Sequence, residues 1–141
     1  MTLDLHFGTR DAATQGTWLH LVHPVSAEPL YNGPDQPVRW RIAGRDSEQY
    51  QRKINQQQTR RIEDSAKTKA KSLTGERFTA EALDLLAVCV LEVEHSVFDG
   101  QPLVGTFEAV RAVLQKEPWI AEQIEAVIMD RTLFFGASKT T

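Results

Sequence analysis

A run of apolar residues between positions 80 and 95 constrains the fold of this 141-residue chain more than any other feature. The run has too few polar side chains to form a solvent-facing stripe. Its apolar members are Ala82, Leu83, Leu85, Leu86, Ala87, Val88, Cys89, Val90, Leu91 and Val93. A helix that is apolar on all sides has to be packed from several directions. We therefore predict a central helix from Ala80 to about His95, capped by Thr79.

Two further helices are predicted after this run. Residues 99–102 combine Asp, Gly and Pro, which predicts a turn. Thr106 then caps a segment with apolar residues at helical spacing. Pro118 starts another such segment that continues to Arg131, since proline is favoured at the first position of a helix. Residues 136–141, which follow this helix, are expected to form a flexible tail.

The first third of the chain has the alternation typical of β-strands. Apolar and polar residues alternate over 3–7, and residues 18–22 are apolar on both faces. Val38, Trp40 and Ile42 alternate with two arginines that are expected to point into water. These patterns predict an α+β fold: a small N-terminal antiparallel β-hairpin or sheet, followed by a mainly helical domain of about four helices.

A long basic helix is predicted between these two parts. From Ser47 to about Lys71 the chain has no Gly or Pro, and Gln, Arg, Lys and Glu dominate. The few apolar residues recur every four positions, so the apolar stripe drifts around the helix axis. We expect the helix to pack on the core at its start and to leave it near Tyr50 and Ile54.

The net charge of −3 is distributed unevenly. Residues 1–44 carry −1, residues 45–77 carry +4 and residues 78–141 carry −6. We interpret 1–135 as a single domain in which these parts are the β-hairpin region (1–44), the long basic helix (45–77) and the helical core (78–135). A basic and an acidic part in one molecule suit association between copies.

The sequence offers no constellation for catalysis or metal binding. His20 and His23 are three apart on a predicted strand and so lie on opposite faces. His6 and His95 have no Cys, Asp or Glu partner at a recognised metal-ligand spacing. Cys89 lies within the apolar run, where a thiol is unreactive. We therefore expect no enzyme activity, no cofactor, no metal and no small-molecule substrate.

The expected compartment and the charge distribution of the chain limit the kinds of partner that it is expected to bind. The chain has one cysteine, no apolar run of membrane-spanning length, and no basic-then-apolar order in its first ten residues, so a cytoplasmic protein without a membrane partner is expected. Helix 47–71 leaves a DNA-binding accessory or regulatory role as the alternative. Within 45–77, however, five acidic residues interrupt nine basic ones, and no aromatic residue lies between Tyr50 and Lys71 to stack on bases, so nucleic acid is not the expected partner.

Two stretches of the chain resemble the tail assembly chaperones of long, non-contractile tailed bacteriophages and their prophages. Residues 23–30, HPVSAEPL, and 44–50, GRDSEQY, are similar to that family's opening hairpin and its entry to the first helix. Residues 99–103, DGQPL, then 107–114, FEAVRAVL, and 118–124, PWIAEQI, are similar to its paired C-terminal helices, with Asp130, Arg131 and Phe134 after them.

The resemblance implies an ATP-independent binding protein of the host cytoplasm that is not retained in the mature virion. Such chaperones bind the tape measure protein and help recruit tail tube subunits. Trp119, Phe134 and Phe135 are large apolar groups near an acidic helix end, and we expect them to bind the partner. The alternative, above all for Trp119, is that they belong to the core. Arg60 and Arg61 are expected to contact the acidic part of a neighbouring copy in a self-associated array. A ribosomal frameshift at the Phe134-Phe135 codons is a further hypothesis from the same resemblance.

Overall fold

The structure, a computed structural model, describes residues 3–65 and 79–134, with only the backbone described for 60–65. The α+β prediction is confirmed. The helices are α1 (Thr9–Gln15), α2 (Glu48–Ser65), α3 (Ala80–Val88), α4 (Phe107–Lys116) and α5 (Pro118–Met129), followed by a 3₁₀ helix (Arg131–Phe134). The strands are β1 (Thr17–His20), β2 (Arg39–Ile42), β3 (Val90–Glu94), β4 (Val97–Phe98) and β5 (Gln101–Pro102). The predicted tail, 136–141, lies outside the described residues.

Three antiparallel strands form the main sheet, in the order β1-β2-β3. Trp40 and Ile42 on β2 are buried, as their alternation predicted. Their neighbours Arg39 and Arg41 do not simply point into water: they form ion pairs with Glu94 and Glu92 on β3, with N–O distances of 2.7 Å in each pair. All four side chains are partly exposed, so these pairs contribute under about 1 kcal/mol each and serve mainly to select the register.

The predicted central helix is too long by about seven residues, and this prediction is wrong at its C-terminal end. Helix α3 begins after its Thr79 cap, whose hydroxyl accepts a hydrogen bond from the Ala82 N–H, but it ends at Val88. The chain then continues as β3. From Leu91 to Glu94, apolar residues alternate with acidic ones. In a strand this alternation places Glu92 and Glu94 on one face, opposite Arg41 and Arg39, and the strand also pairs with the free edge of β2.

The predicted strand at 3–7 is also absent. Residues 3–8 form neither helix nor strand, because no described strand lies beside them to complete a hydrogen-bonded ladder. Helix α1, which the alternation did not predict, follows directly, and Ala13 is its buried residue. Gly16 ends α1 with φ 86° and ψ 176°, a conformation that is essentially restricted to glycine.

The core lies between the sheet and helices α3, α4 and α5. Its buried members include Leu21, Trp40, Ile42, Leu86, Cys89, Val110, Leu114, Ile124 and Ile128. Helix α2 stays on this core for one turn beyond Ile54: Gln57 is buried, and its Nε2 donates to the Glu81 carbonyl oxygen at 2.7 Å. The basic helix is therefore still packed at Gln57, beyond the positions near Tyr50 and Ile54 where it was expected to leave the core. Its predicted continuation to Lys71 lies outside the described residues.

A side-chain amide joins α5 to the sheet. Gln123 Oε1 accepts a hydrogen bond from the Val22 N–H at 3.1 Å, and Gln123 Nε2 donates to the Val22 carbonyl at 2.8 Å. Val22 lies just after β1. The Gln123 side chain on α5 therefore satisfies the backbone hydrogen bonds of Val22 in the way that a neighbouring strand would. It fixes the position of α5 along the strand.

Candidate functional site: an apolar groove

An open groove with a volume of about 390 Å³ lies between the α4–α5 junction and the loops at one end of the sheet. Its apolar lining consists of Leu21, Leu30, Val38, Trp40, Val97, Phe98, Leu103, Val113, Trp119 and Ile120. Its polar lining consists of Tyr31, Asn32, His95, Ser96 and Glu117. This volume lies in the range of sites that enclose a small ligand, and it can accept a few apolar side chains of a larger partner.

Trp40 lines the buried end of the groove. Its indole is 1% exposed, and Nε1 donates to Ser96 Oγ at 2.9 Å. The Ser96 hydroxyl in turn donates to the Glu94 carbonyl oxygen at 3.0 Å. Both polar groups are thus hydrogen-bonded within the protein. Trp40 therefore forms the closed floor of the groove and belongs to the core beneath it.

Trp119 lines the wall of the groove at the start of α5. Pro118 is the first residue of that helix, and Glu117 connects it directly to α4. The Trp119 Nε1 donates to Glu117 Oε1 at 2.9 Å, and the ring packs partly buried against the core. The indole is therefore held in one orientation, as expected for an aromatic anchor of a binding site.

A short hairpin provides the third wall. Strands β4 and β5 pair across Asp99 and Gly100, which have φ 53° and 78°. Two consecutive positive φ angles are typical of a type I′ turn. The turn predicted at 99–102 is therefore confirmed at Asp99 and Gly100, whereas Gln101–Pro102 form β5. Lys116 reaches this hairpin: its Nζ lies 3.8 Å from Asp99 Oδ2 and 5.8 Å from the centre of the Phe98 ring.

The histidines hold loops in place and do not converge. His95 Nδ1 donates to the Pro37 carbonyl at 2.8 Å, and His20 Nε2 donates to the Leu30 carbonyl at 2.8 Å. His23 Nδ1 accepts hydrogen bonds from the N–H groups of Val25 and Ser26. In the described ranges, 3–65 and 79–134, no three His, Cys, Asp or Glu side chains are placed to hold a metal ion.

Phe134 lies far from the groove. Its ring packs on Gly44, beside Ala13, at the C-terminal end of α5. Arg131 fixes this end by a bidentate pair with Asp46: Nε to Oδ2 is 2.6 Å and Nη2 to Oδ1 is 2.8 Å. The Arg131 hydrogen bond lowers the pKa of the Asp46 carboxyl.

The predicted partner residues are therefore not a single cluster. Trp119 lines the groove, whereas Phe134 is a packing residue at the other end of a 12-residue helix, about 18 Å away at 1.5 Å per residue. Phe135 and the side chains of Arg60 and Arg61 lie outside what the structure describes. The groove residues from the 95–103 hairpin were not predicted, although Val97 and Phe98 before an Asp-Gly turn are a hairpin signature.

Cys89 is fully buried, and burial raises the pKa of its thiol to about 12. Because the thiolate is the reactive form, we expect iodoacetamide at pH 8 to alkylate the native protein roughly 1,000-fold more slowly than the urea-unfolded chain. Mass spectrometry of timed samples measures both rates. Comparable rates in the two states would contradict the burial of this thiol.

No described helix is long and apolar enough to cross a membrane. Comparison with protein-family models, curated proteins and solved structures finds no match to this chain.

Proposed function

We propose that this protein is a tail assembly chaperone of a long, non-contractile tailed bacteriophage or prophage. In this role it binds the tape measure protein and helps recruit tail tube subunits in the host cytoplasm, without entering the mature virion. The resemblance of its sequence to that family supports the proposal. The observation that carries it is the apolar groove, with Trp119 held at its wall by Glu117.

The groove suits a helical client better than a substrate. A long helix such as a tape measure protein exposes apolar side chains at positions three or four apart, and a groove binds such a helix through two or three of them. Each contact is small, but many copies bound along one tape gain from avidity. The role requires binding only, so we infer no enzyme activity, no cofactor and no small-molecule substrate.

The alternative is a DNA-binding accessory protein that uses the basic helix, of which the structure describes two cationic side chains. Between residues 48 and 59, Arg52 is an exposed cation, whereas Lys53 Nζ lies 5.4 Å from the centre of the Phe107 ring. Gel shifts at increasing salt distinguish the two functions, because phosphate contacts give affinity that falls steeply with salt.

The proposal is tested by co-expressing the chain with a fragment of the tape measure protein from the same phage genome. We expect the fragment to become soluble and to co-purify with the chain. Because an aromatic anchor contributes a large share of binding, Trp119→Ala should weaken the complex about 30-fold or more, measured by calorimetry on the purified pair.

Trp18→Ala is the matched control, since Trp18 is partly exposed but does not line the groove. We expect it to bind the fragment as the wild type does. Equal affinity of the Trp119→Ala variant and the wild type would exclude the groove as the client site. A salt-sensitive gel shift without tape measure binding would favour the DNA-binding alternative.

A further inference from the structure

The segment from Leu3 to Phe7 exposes three large apolar side chains. Leu3 is 73% exposed, Leu5 is 74% exposed and Phe7 is 64% exposed. They alternate with Asp4 and His6, so an extended backbone places all three on one side of the segment. A contiguous exposed apolar strip of this kind marks an interaction surface.

This segment and the groove lie at opposite ends of α5. The groove is at the Trp119 end of the helix. Helix α1, to which the segment is joined at Gly8, begins at the other end, where Thr9 lies beside Ile128 and Phe134. The helix between them is about 18 Å long. Phe7 is two residues from Thr9 and reaches about 7 Å at most, so the three side chains cannot together fill the groove of their own chain.

We propose that the Leu3–Phe7 segment of one copy docks in the groove of a second copy. The segment offers an apolar side to the apolar walls, and its alternation turns Asp4 and His6 outward. In this arrangement the Asp4 carboxylate can pair with the Lys116 ammonium, which lies beside Phe98 in the hairpin wall. Because donor and acceptor surfaces differ, the contact is heterologous, and repetition builds a ring or an open-ended array of copies.

The contact is small. Three large apolar side chains bury roughly 300–400 Å² on the segment, about half of the ~800 Å² per partner that stable interfaces bury. Association is therefore reversible and depends on concentration. The client of the proposed function would occupy this same groove, so the segment and the client compete for it. The test of self-association needs only this chain.

Two variants separate the donor from the acceptor surface. L5S/F7S removes the apolar strip, and V97E places a charge in the groove at a residue that is 54% exposed, so neither changes the core. Val25→Ser is the control, since Val25 is 88% exposed and does not line the groove. Circular dichroism verifies the fold of each variant.

Sedimentation equilibrium from about 10 µM to 1 mM gives the test. We expect the mean mass of the wild type and of Val25→Ser to rise with concentration, and each groove or segment variant to stay monomeric. An equimolar mixture of L5S/F7S and V97E should form dimers and nothing larger, because one intact segment meets one intact groove. A monomeric wild type, or a mixture without dimers, overturns the proposal.

A peptide gives a second measurement that does not depend on the groove variant. A synthetic peptide of residues 3–10 should change the tryptophan fluorescence of the full-length L5S/F7S chain, through Trp40 and Trp119 in the groove. The same peptide with both serines should leave it unchanged. If R60E/R61E abolishes association while L5S/F7S does not, the array uses the basic helix, and the segment proposal is wrong.

Discussion

Replacing Trp40 with alanine is expected to lower the free energy of unfolding by about 3–5 kcal/mol, the range for truncating a buried tryptophan. The side chain is 1% exposed and packs between the sheet and the helices that form the groove. The loss is large beside the total stability of a small domain, about 5–15 kcal/mol. Urea unfolding followed by circular dichroism measures it.

Two further variants serve as controls for the Trp40→Ala prediction. Trp40→Phe keeps most of the ring and should lose less stability than Trp40→Ala, which preserves the comparison if the alanine variant does not fold. Trp18→Ala should cost under about 1 kcal/mol, because Trp18 is 38% exposed and covers the Arg39 guanidinium at 4.8 Å. Equal losses at Trp40 and Trp18 would mean that Trp40 is not the packed centre of the core.

Replacing Gly16 with alanine is expected to destabilise the fold by about 2–4 kcal/mol, since it combines two costs. Its φ of 86° with ψ 176° is a strained conformation for any other residue, at about 1–3 kcal/mol. A Cβ at this position would also lie 2.8 Å from the Ile42 carbonyl oxygen and 2.9 Å from a methyl of Leu91. Relief requires moving the backbone of β2.

Gly8 is the matched control for this change. Its φ is 75°, but a Cβ there would have no heavy atom within 4 Å. Gly8→Ala therefore adds backbone strain of about 1–2 kcal/mol without a clash. Thermal unfolding of both variants should show a clearly lower midpoint for Gly16→Ala. If the two midpoints were equal, the close packing of Gly16 against β2 would be refuted.

The helices were predictable where the sequence has both a residue that starts a helix and apolar residues at helical spacing. Thr79 and Thr106 cap α3 and α4, and Pro118 opens α5, all at the predicted positions. Strand β2 was predictable for a similar reason, since its alternation leaves one face entirely apolar. Capping residues and apolar spacing are local signals in the sequence. The structure follows them at these positions because the same apolar faces are also the ones that pack in the core.

The wrong predictions concern segments whose structure depends on a distant partner. Residues 3–7 alternate as a strand does, yet no strand within the described residues lies beside them. Residues 90–94 are apolar enough for a helix, yet Glu92 and Glu94 pair with arginines more than fifty positions earlier in the chain. The spacing of apolar residues shows which face of a helix or strand is apolar. It does not show which other segment packs against that face.

The candidate site was predictable only in part. Trp119 lines the groove, and its role in binding stays a prediction; the other groove residues come from the 30–40 loop, the 95–103 hairpin and α4. No sequence pattern reports that these segments meet. Phe134 was equally large and apolar, and the structure places it over Gly44 as a packing residue.

The amide of Gln123 has a consequence for solubility. An open strand edge invites a second chain to extend the sheet, which is a common route to aggregation. The Gln123 side chain hydrogen-bonds to both the N–H and the carbonyl of Val22, so neither group is left free to pair with a strand of another chain. The chain can therefore crowd with many copies of itself while this edge position stays closed to indiscriminate strand pairing.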